Sequence, residues 1–241
     1  MTMARMTLEE LVSQLRAAYG TALRSIVLYG SAAAGEHIPK RSDYNVLVIV
    51  DSLDSGRLTA ASAASRAWTE AGNPAPLTLT TAEWRGSSDI FPMEYADILE
   101  RHRVLFGDPP FDGISVDRKD LRLQLEQEAM GKVIKLRQGV LASGNDNQRQ
   151  LELLTASVSS VMVVFRAFLR LLGTTPPSDN VALAEAAARE ASFDATSFAR
   201  VVRHVRGKDQ LRPGDVGSVL SGYLHGMEQL VSYLDHYQPS A

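Results

Sequence analysis

The stretch that decides the fold runs from Ser25 to Val50 and reads SIVLYGSAAAGEHIPKRSDYNVLVIV. It opens with an apolar run, Ile26–Tyr29, which ends in the pair Gly30–Ser31. A polar segment then leads through Ser42-Asp43-Tyr44-Asn45 into a second apolar run, Val46–Val50. The two runs predict two strands, joined by a tight glycine turn and a polar excursion.

Asp43 and Asn45 are two residues apart, so in a strand their side chains lie on the same face of the sheet. A carboxylate and an amide oxygen beside a glycine turn are the groups expected of a site for phosphate and a metal ion. Backbone N–H groups around Gly30 and Ser31 would cradle phosphate oxygens, because glycine allows a close approach to the main chain.

Composition narrows the class of protein. The chain has 241 residues and a formal net charge of −3, with 25 Lys and Arg against 28 Asp and Glu. This balance argues against a protein that coats nucleic acid. The absence of cysteine excludes disulfides and thiolate chemistry. No apolar signal core precedes the first helix, and the apolar run 158–172 is interrupted by arginines and is interpreted as a core helix, so a cytoplasmic location without a membrane is expected.

The two halves of the sequence differ in their patterns. The first half alternates helical and strand patterns, which is typical of an α/β layer architecture. Thr7-Leu8-Glu9-Glu10 predicts a capping box at the start of the first helix. The segment Phe91–Ile98 is interpreted as a strand, and Pro92 places it at a sheet edge. From Asp117 onward the patterns are helical and predict a bundle. We therefore expect an α/β domain over residues 1–112 and an all-α helical bundle over 113–241.

These residues resemble the nucleotidyltransferase superfamily with a DNA polymerase β-like fold. The family pattern is Gly-Ser, about a dozen residues, and then Asp-x-Asp on the next strand. Here Gly30–Ser31 and Asp43-Tyr44-Asn45 occupy those places. An α/β domain with a mixed sheet followed by a helical domain is similar to the bacterial antibiotic- and protein-modifying members.

The resemblance implies a Mg²⁺-dependent transfer of a nucleoside monophosphate from a nucleoside triphosphate to a hydroxyl, with release of pyrophosphate. ATP is the expected nucleotide. Asp43 and Asn45 would hold the metal ion, and Gly30, Ser31, Lys40 and Arg41 would bind the triphosphate. The acceptor would be a small molecule or a protein, in a cleft between the two domains. A homodimer is compatible with the sequence.

The sequence departs from the family at Asn45, where the second carboxylate is expected. An amide oxygen still ligates Mg²⁺, but the site loses one negative charge. Two unit charges about 4 Å apart interact by roughly 4 kcal/mol at an effective dielectric near 20. A second hypothesis follows, in which the chain is a catalytically impaired member that binds a nucleotide or a partner as a regulatory module.

The family also places a third carboxylate on a later strand, where it acts as the base. The strand predicted at Leu77–Thr80 has none, so Glu94 is the expected base and Asp97 the second choice. If this segment is a strand, the two carboxylates face opposite ways. A basic stretch that includes Arg200, Arg203 and Arg206 is interpreted as a solvated helix face, with an anion-binding wall as the alternative.

Overall fold

The computed structural model describes residues 6–33, 35 and 43–238. By backbone proximity the chain divides into two compact units, Met1–Val116 and Asp117–Ala241. The first unit contains a mixed sheet with helices, and the second consists of helices in its described part. The fold class expected from the sequence, an α/β domain followed by an all-α domain, is confirmed.

The first unit is built around a sheet of four strands, in the order β3-β2-β1-β4. Strand β1 is antiparallel to both β2 and β4, whereas β2 and β3 are parallel. The strands span Leu23–Tyr29 (β1), Asn45–Val50 (β2), Leu77–Thr80 (β3) and His102–Gly107 (β4). The helices span Leu8–Tyr19 (α1), Ser55–Glu70 (α2), Thr81–Gly86 (α3) and Pro92–Glu100 (α4).

The central strand β2 is covered on both faces, which explains its uninterrupted apolar sequence. Val46, Val48 and Val50 pack into a cluster with residues of α1 and α2. Leu47 and Ile49 pack on the opposite face, with residues of α3 and α4. In that second cluster the rings of Trp84 and Tyr95 stack, with centroids 4.2 Å apart. Successive β2 side chains therefore point to opposite helical layers.

The prediction of a strand at Phe91–Ile98 is wrong, because the segment contains helix α4. Pro92 stands in its first turn, where a backbone N–H has no intrahelical partner and its loss is harmless. The buried positions Pro92, Tyr95 and Ile98 recur every three residues, which is a helical spacing. The capping box at Thr7 is confirmed, since both of its hydrogen bonds form.

In the described part of the second unit, four helices pack around a central one. These five helices span Arg118–Ser143 (α5), Asn147–Leu171 (α6), Asn180–Ala191 (α7), Thr196–Val205 (α8) and Pro213–His236 (α9). Helix α6 packs against the other four. It is long and apolar enough to cross a bilayer by length and composition, but half of its most apolar window is buried inside the structure. That burial is expected of a core helix, so α6 is weak evidence for a membrane.

Candidate active site

The candidate site lies where strand β1 ends and strand β2 begins, beside helix α4. Tyr29 and Asn45 are partners in the antiparallel ladder, so Gly30 follows directly beside Asn45. Leu47 and Ile49 face the layer that contains α4, and alternation along β2 places Asn45 on the same face. Tyr29 also packs against that layer. The end of the sheet therefore presents its polar side chains toward α4.

Gly30 is the point at which these side chains meet. Its φ of +76° is in the left-handed region that favours glycine. A Cβ at this position would lie 3.4 Å from Asn45 Nδ2 and 3.6 Å from Asp97 Oδ2. Asn45 and Asp97 thus approach the same small space, although they are far apart in sequence. The missing side chain of Gly30 keeps that space open.

Arg101 contacts both Gly30 and Asp97. The Gly30 N–H donates to the Arg101 carbonyl at 3.0 Å, so this N–H does not face a phosphate. The Arg101 guanidinium donates to Asp97 Oδ1 through Nη2 at 2.6 Å and through Nε at 3.1 Å. Both side chains are largely buried, with 15% and 22% exposed. Arg101 therefore fixes both the glycine turn and the Asp97 carboxylate.

Helix α4 brings Glu94 and Asp97 to the same side, because residues three apart are neighbours on a helix. This arrangement differs from the opposite orientations that a strand would have produced. Burial raises the pKa of Tyr29, and the charges of Asp97 and Glu94 raise it further. Glu94 is exposed, whereas Asp97 is partly buried. Sequence patterns did not indicate Asp97 as the carboxylate beside Gly30, since its position depends on α4 being a helix.

Asp43 lies just before β2 and is exposed. The next residue is anchored, because the Tyr44 N–H donates to Asn73 Oδ1 at 3.1 Å. The Tyr44 ring also lies near the buried Trp68, with centroids 6.1 Å apart. These contacts fix the main chain next to Asp43 while its carboxylate remains accessible to solvent.

The other residues predicted to bind phosphate are Ser31, Lys40 and Arg41, and the structure describes only the first of them. Ser31 is half-buried, in the short 3-10 turn Gly30–Ala32 that follows β1. Lys40 and Arg41 lie outside the described residues. Their predicted role in neutralising a triphosphate therefore stays a prediction.

The residues present fit Mg²⁺ in a limited way. In the described part of the chain, no three His, Cys, Asp or Glu side chains come together as a metal-binding group. Mg²⁺ is usually bound through one or two carboxylates plus substrate phosphates, and it keeps several waters. The exposed carboxylate of Asp43 and the half-buried amide of Asn45 suit such an ion. They fit a metal ion that arrives with a nucleotide better than one held in a preformed protein cage.

A solved structure shares this fold. The chain is similar to a spectinomycin adenyltransferase from Enterococcus faecialis, solved with ATP and spectinomycin, with a TM-score of 0.59 and 12% identity. The match covers 93% of this chain and 99% of that one. The chain has a nucleotidyltransferase fold. No protein-family model matches the sequence, and no curated protein matches it either.

The match to this fold extends into the second unit, where two arginines of the basic stretch form ion pairs. Arg200 Nη2 bonds Asp215 Oδ2 at 2.6 Å. Arg206 Nη1 bonds Asp179 Oδ2 at 2.6 Å, and this carboxylate also caps helix α7. Because both arginines pair within their own unit, the alternative of an anion-binding wall loses support.

Removal of the Asp97 charge should lower the pKa of Tyr29. Burial, followed by the charges of Asp97 and Glu94, raises this pKa to about 12. Since the folded pKa exceeds the ordinary value near 10, the stability contribution is complete below about pH 10 and is lost as the pH rises toward 12. We expect Asp97→Asn to shift the tyrosinate absorbance of Tyr29 to lower pH, with Tyr29→Phe as the reference. An unchanged titration would contradict the proximity of Asp97 to Tyr29.

Gly30→Ala should affect both stability and nucleotide binding. An alanine with a φ near +76° costs about 1–2 kcal/mol of strain. Gly113 is the matched control, because its φ is also +76° and a Cβ there would meet nothing within 4 Å. In urea unfolding we expect losses of that size for both variants. Only Gly30→Ala should weaken ATP binding, because its Cβ fills the space between Asn45 and Asp97. Equal ATP affinity for the two variants would argue against a site at Gly30.

Proposed function

We propose that this protein transfers a nucleoside monophosphate, with ATP as the preferred donor, to a hydroxyl group of a small molecule and releases pyrophosphate. The observation that carries the proposal is the meeting of Asn45 and Asp97 at Gly30, at the end of a sheet with the nucleotidyltransferase fold. The adenyltransferase with the same fold was solved with ATP and an antibiotic, which supports the choice of both substrates.

Asp43 and Asn45 have the role of binding the donor. The accessible carboxylate of Asp43 and the amide oxygen of Asn45 would hold Mg²⁺ beside the phosphates. When bound, this ion neutralises charge on the phosphates and orients the attacking and leaving oxygens. The open space at Gly30 admits a phosphate group against the main chain, where a side chain would exclude it.

We assign different roles to Glu94 and Asp97, the two carboxylates of α4 beside the site. Glu94 is exposed at the helix surface, where an acceptor hydroxyl has access, and we assign it the role of general base. Asp97 is held by Arg101, and its other oxygen faces Gly30 and Asn45. Asp97 is therefore a positioning residue that keeps the Asn45 amide in place. The pH dependence of kcat/KM tests these two roles. Glu94→Gln should remove the acidic limb of the profile, whereas Asp97→Asn should only lower the rate.

Specific observations favour a second function, nucleotide binding without transfer. Asn45 lacks the charge of the family's second carboxylate, and the Arg101 cation already neutralises Asp97. Such a protein would act as a regulatory module that responds to the nucleotide.

Pyrophosphate release separates the two functions. The protein is incubated with Mg²⁺ and each nucleoside triphosphate, across a panel of hydroxyl-bearing small molecules that includes aminocyclitols and aminoglycosides. Acceptor-dependent release supports the proposed transfer. ATP binding by calorimetry without release supports the regulatory module, and an absence of binding would contradict both.

A further inference from the structure

Helix α5 has two apolar faces, of which only one is packed inside its own unit. The packed face contacts α6 and α9, and its buried residues include Leu121, Leu125, Ala129, Val133 and Leu136. The second face consists of Leu123, Met130, Ile134 and Leu141, whose exposed fractions range from 42% to 83%. We call these four residues the α5 stripe.

The α5 stripe is a straight line along the helix. At 3.6 residues per turn, its four positions lie within about 20° of a common line along the helix and span about 27 Å. Single exposed apolar residues are normal on a protein surface, but a contiguous apolar face usually marks an interaction site. Four exposed apolar residues in one line therefore indicate an interaction site.

The four positions of the α5 stripe are spaced symmetrically about Lys132. Leu123 and Leu141 are equally far from Lys132 along the helix, and so are Met130 and Ile134. Two copies of α5 that pack antiparallel about a two-fold axis at this level would place Leu123 against Leu141 and Met130 against Ile134. A two-fold interface requires such self-complementarity, whereas the binding of an unrelated partner does not.

The charges beside the stripe are compatible with this pairing. In the antiparallel arrangement Arg137 lies level with Gln127 of the second copy, and Glu126 lies level with Gln138. Arg137 is already paired with Glu228 of its own chain, at 2.7 Å. No like charges are brought together at these positions, so the pairing carries no repulsion there.

We propose that the chain forms a homodimer in which the α5 stripes of two copies pack antiparallel about a two-fold axis. A contact of one helix face on each side is at the small end of specific interfaces, below roughly 1,200 Å² in total. The dimer should therefore dissociate on dilution. This inference does not depend on the proposed transfer activity.

Charge variants test the contact by sedimentation equilibrium over a range of protein concentrations. Met130→Glu with Ile134→Glu places like charges opposite each other, and we expect the association constant to fall by roughly 100-fold or more. Met130→Glu with Ile134→Lys places opposite charges together only in the antiparallel pairing, and it should associate more strongly than the double glutamate. Val163→Glu on α6 is the matched control, since Val163 is 53% exposed outside the stripe.

Disulfide cross-linking tests whether the two helices pack antiparallel. Because the sequence has no native cysteine, only the introduced cysteines can react. Within one chain, positions 123 and 141 are about 27 Å apart, too far for a disulfide. We expect the double variant Leu123→Cys with Leu141→Cys to form covalent dimers on oxidation, and each single variant to remain largely uncrosslinked. Monomers at every concentration, a dimer insensitive to the double glutamate, or efficient cross-linking of Leu123→Cys alone would overturn the proposal.

Discussion

Asp43→Ala is expected to lower kcat/KM for nucleotidyl transfer by at least about 100-fold, which corresponds to ~2.7 kcal/mol of transition-state stabilisation. Asp43 carries the only carboxylate of the Asp43-Tyr44-Asn45 motif, because the family's second one is replaced by Asn45. Its loss would leave the motif without negative charge to hold a metal ion against the phosphates.

The fold of this variant should be unaffected. Asp43 is exposed, and substitutions at exposed positions without a special contact usually change stability by less than about 0.5 kcal/mol. Asp112→Ala is a suitable control, because Asp112 is another exposed aspartate of the same unit. Equal rates for the two variants would remove Asp43 from the mechanism.

Gly107→Ala is expected to destabilise the first unit by about 3–5 kcal/mol. Gly107 pairs with Ser25 at the end of β4, with a φ of +77°. A Cβ there would clash with the Arg24 carbonyl oxygen and would lie 2.9 Å from the Arg24 carbonyl carbon and 3.2 Å from Ser25 Cα. These are backbone atoms, so the clash is relieved only if β1 and β4 separate.

The two tryptophans make this effect measurable in the first unit alone. Trp68 and Trp84 both belong to that unit and are buried, and the chain has 2 tryptophans in all. Their fluorescence therefore reports the urea unfolding of the α/β unit. Gly113→Ala is the matched control, with a φ of +76° and nothing within 4 Å of its Cβ, and it should lose only about 1–2 kcal/mol. Similar losses for both variants would show that strain alone, and not the clash, determines the effect at Gly107.

The sequence predicts the elements of this fold well where local signals are strong. The apolar run before Gly30 and the run after Asn45 became neighbouring strands, and the helices of the second unit follow their apolar spacing and caps. The fold class followed from these patterns, because alternation and periodicity are properties of short segments.

Helix α4 was missed because a short apolar segment is ambiguous between helix and strand. Pro92 is compatible with an edge strand, but proline is also favoured in the first turn of a helix. A helical spacing of Pro92, Tyr95 and Ile98 was the signal that could have decided the question.

The contacts of the site could not be predicted in the same way. The approach of Asp97 to Gly30, and the bond from the Gly30 N–H to the Arg101 carbonyl, join residues that are distant in sequence. They depend on how β4 and α4 pack against β1, which no local pattern encodes. The α5 stripe was obscured for a different reason, since apolar residues on both faces of one helix weaken its amphipathic pattern.

The fate of the α-phosphorus of ATP tests the central claim most directly. The protein is incubated with Mg²⁺ and ATP labelled at the α-phosphate, with and without hydroxyl acceptors, and the labelled products are separated. Transfer predicts that the label appears on an acceptor as a phosphodiester, together with pyrophosphate. Asp43→Ala should lower the yield of both products by at least about 100-fold, whereas Asp112→Ala should not. Label that remains in ATP, or appears only as free AMP whatever acceptor is present, would contradict the proposed nucleotidyl transfer.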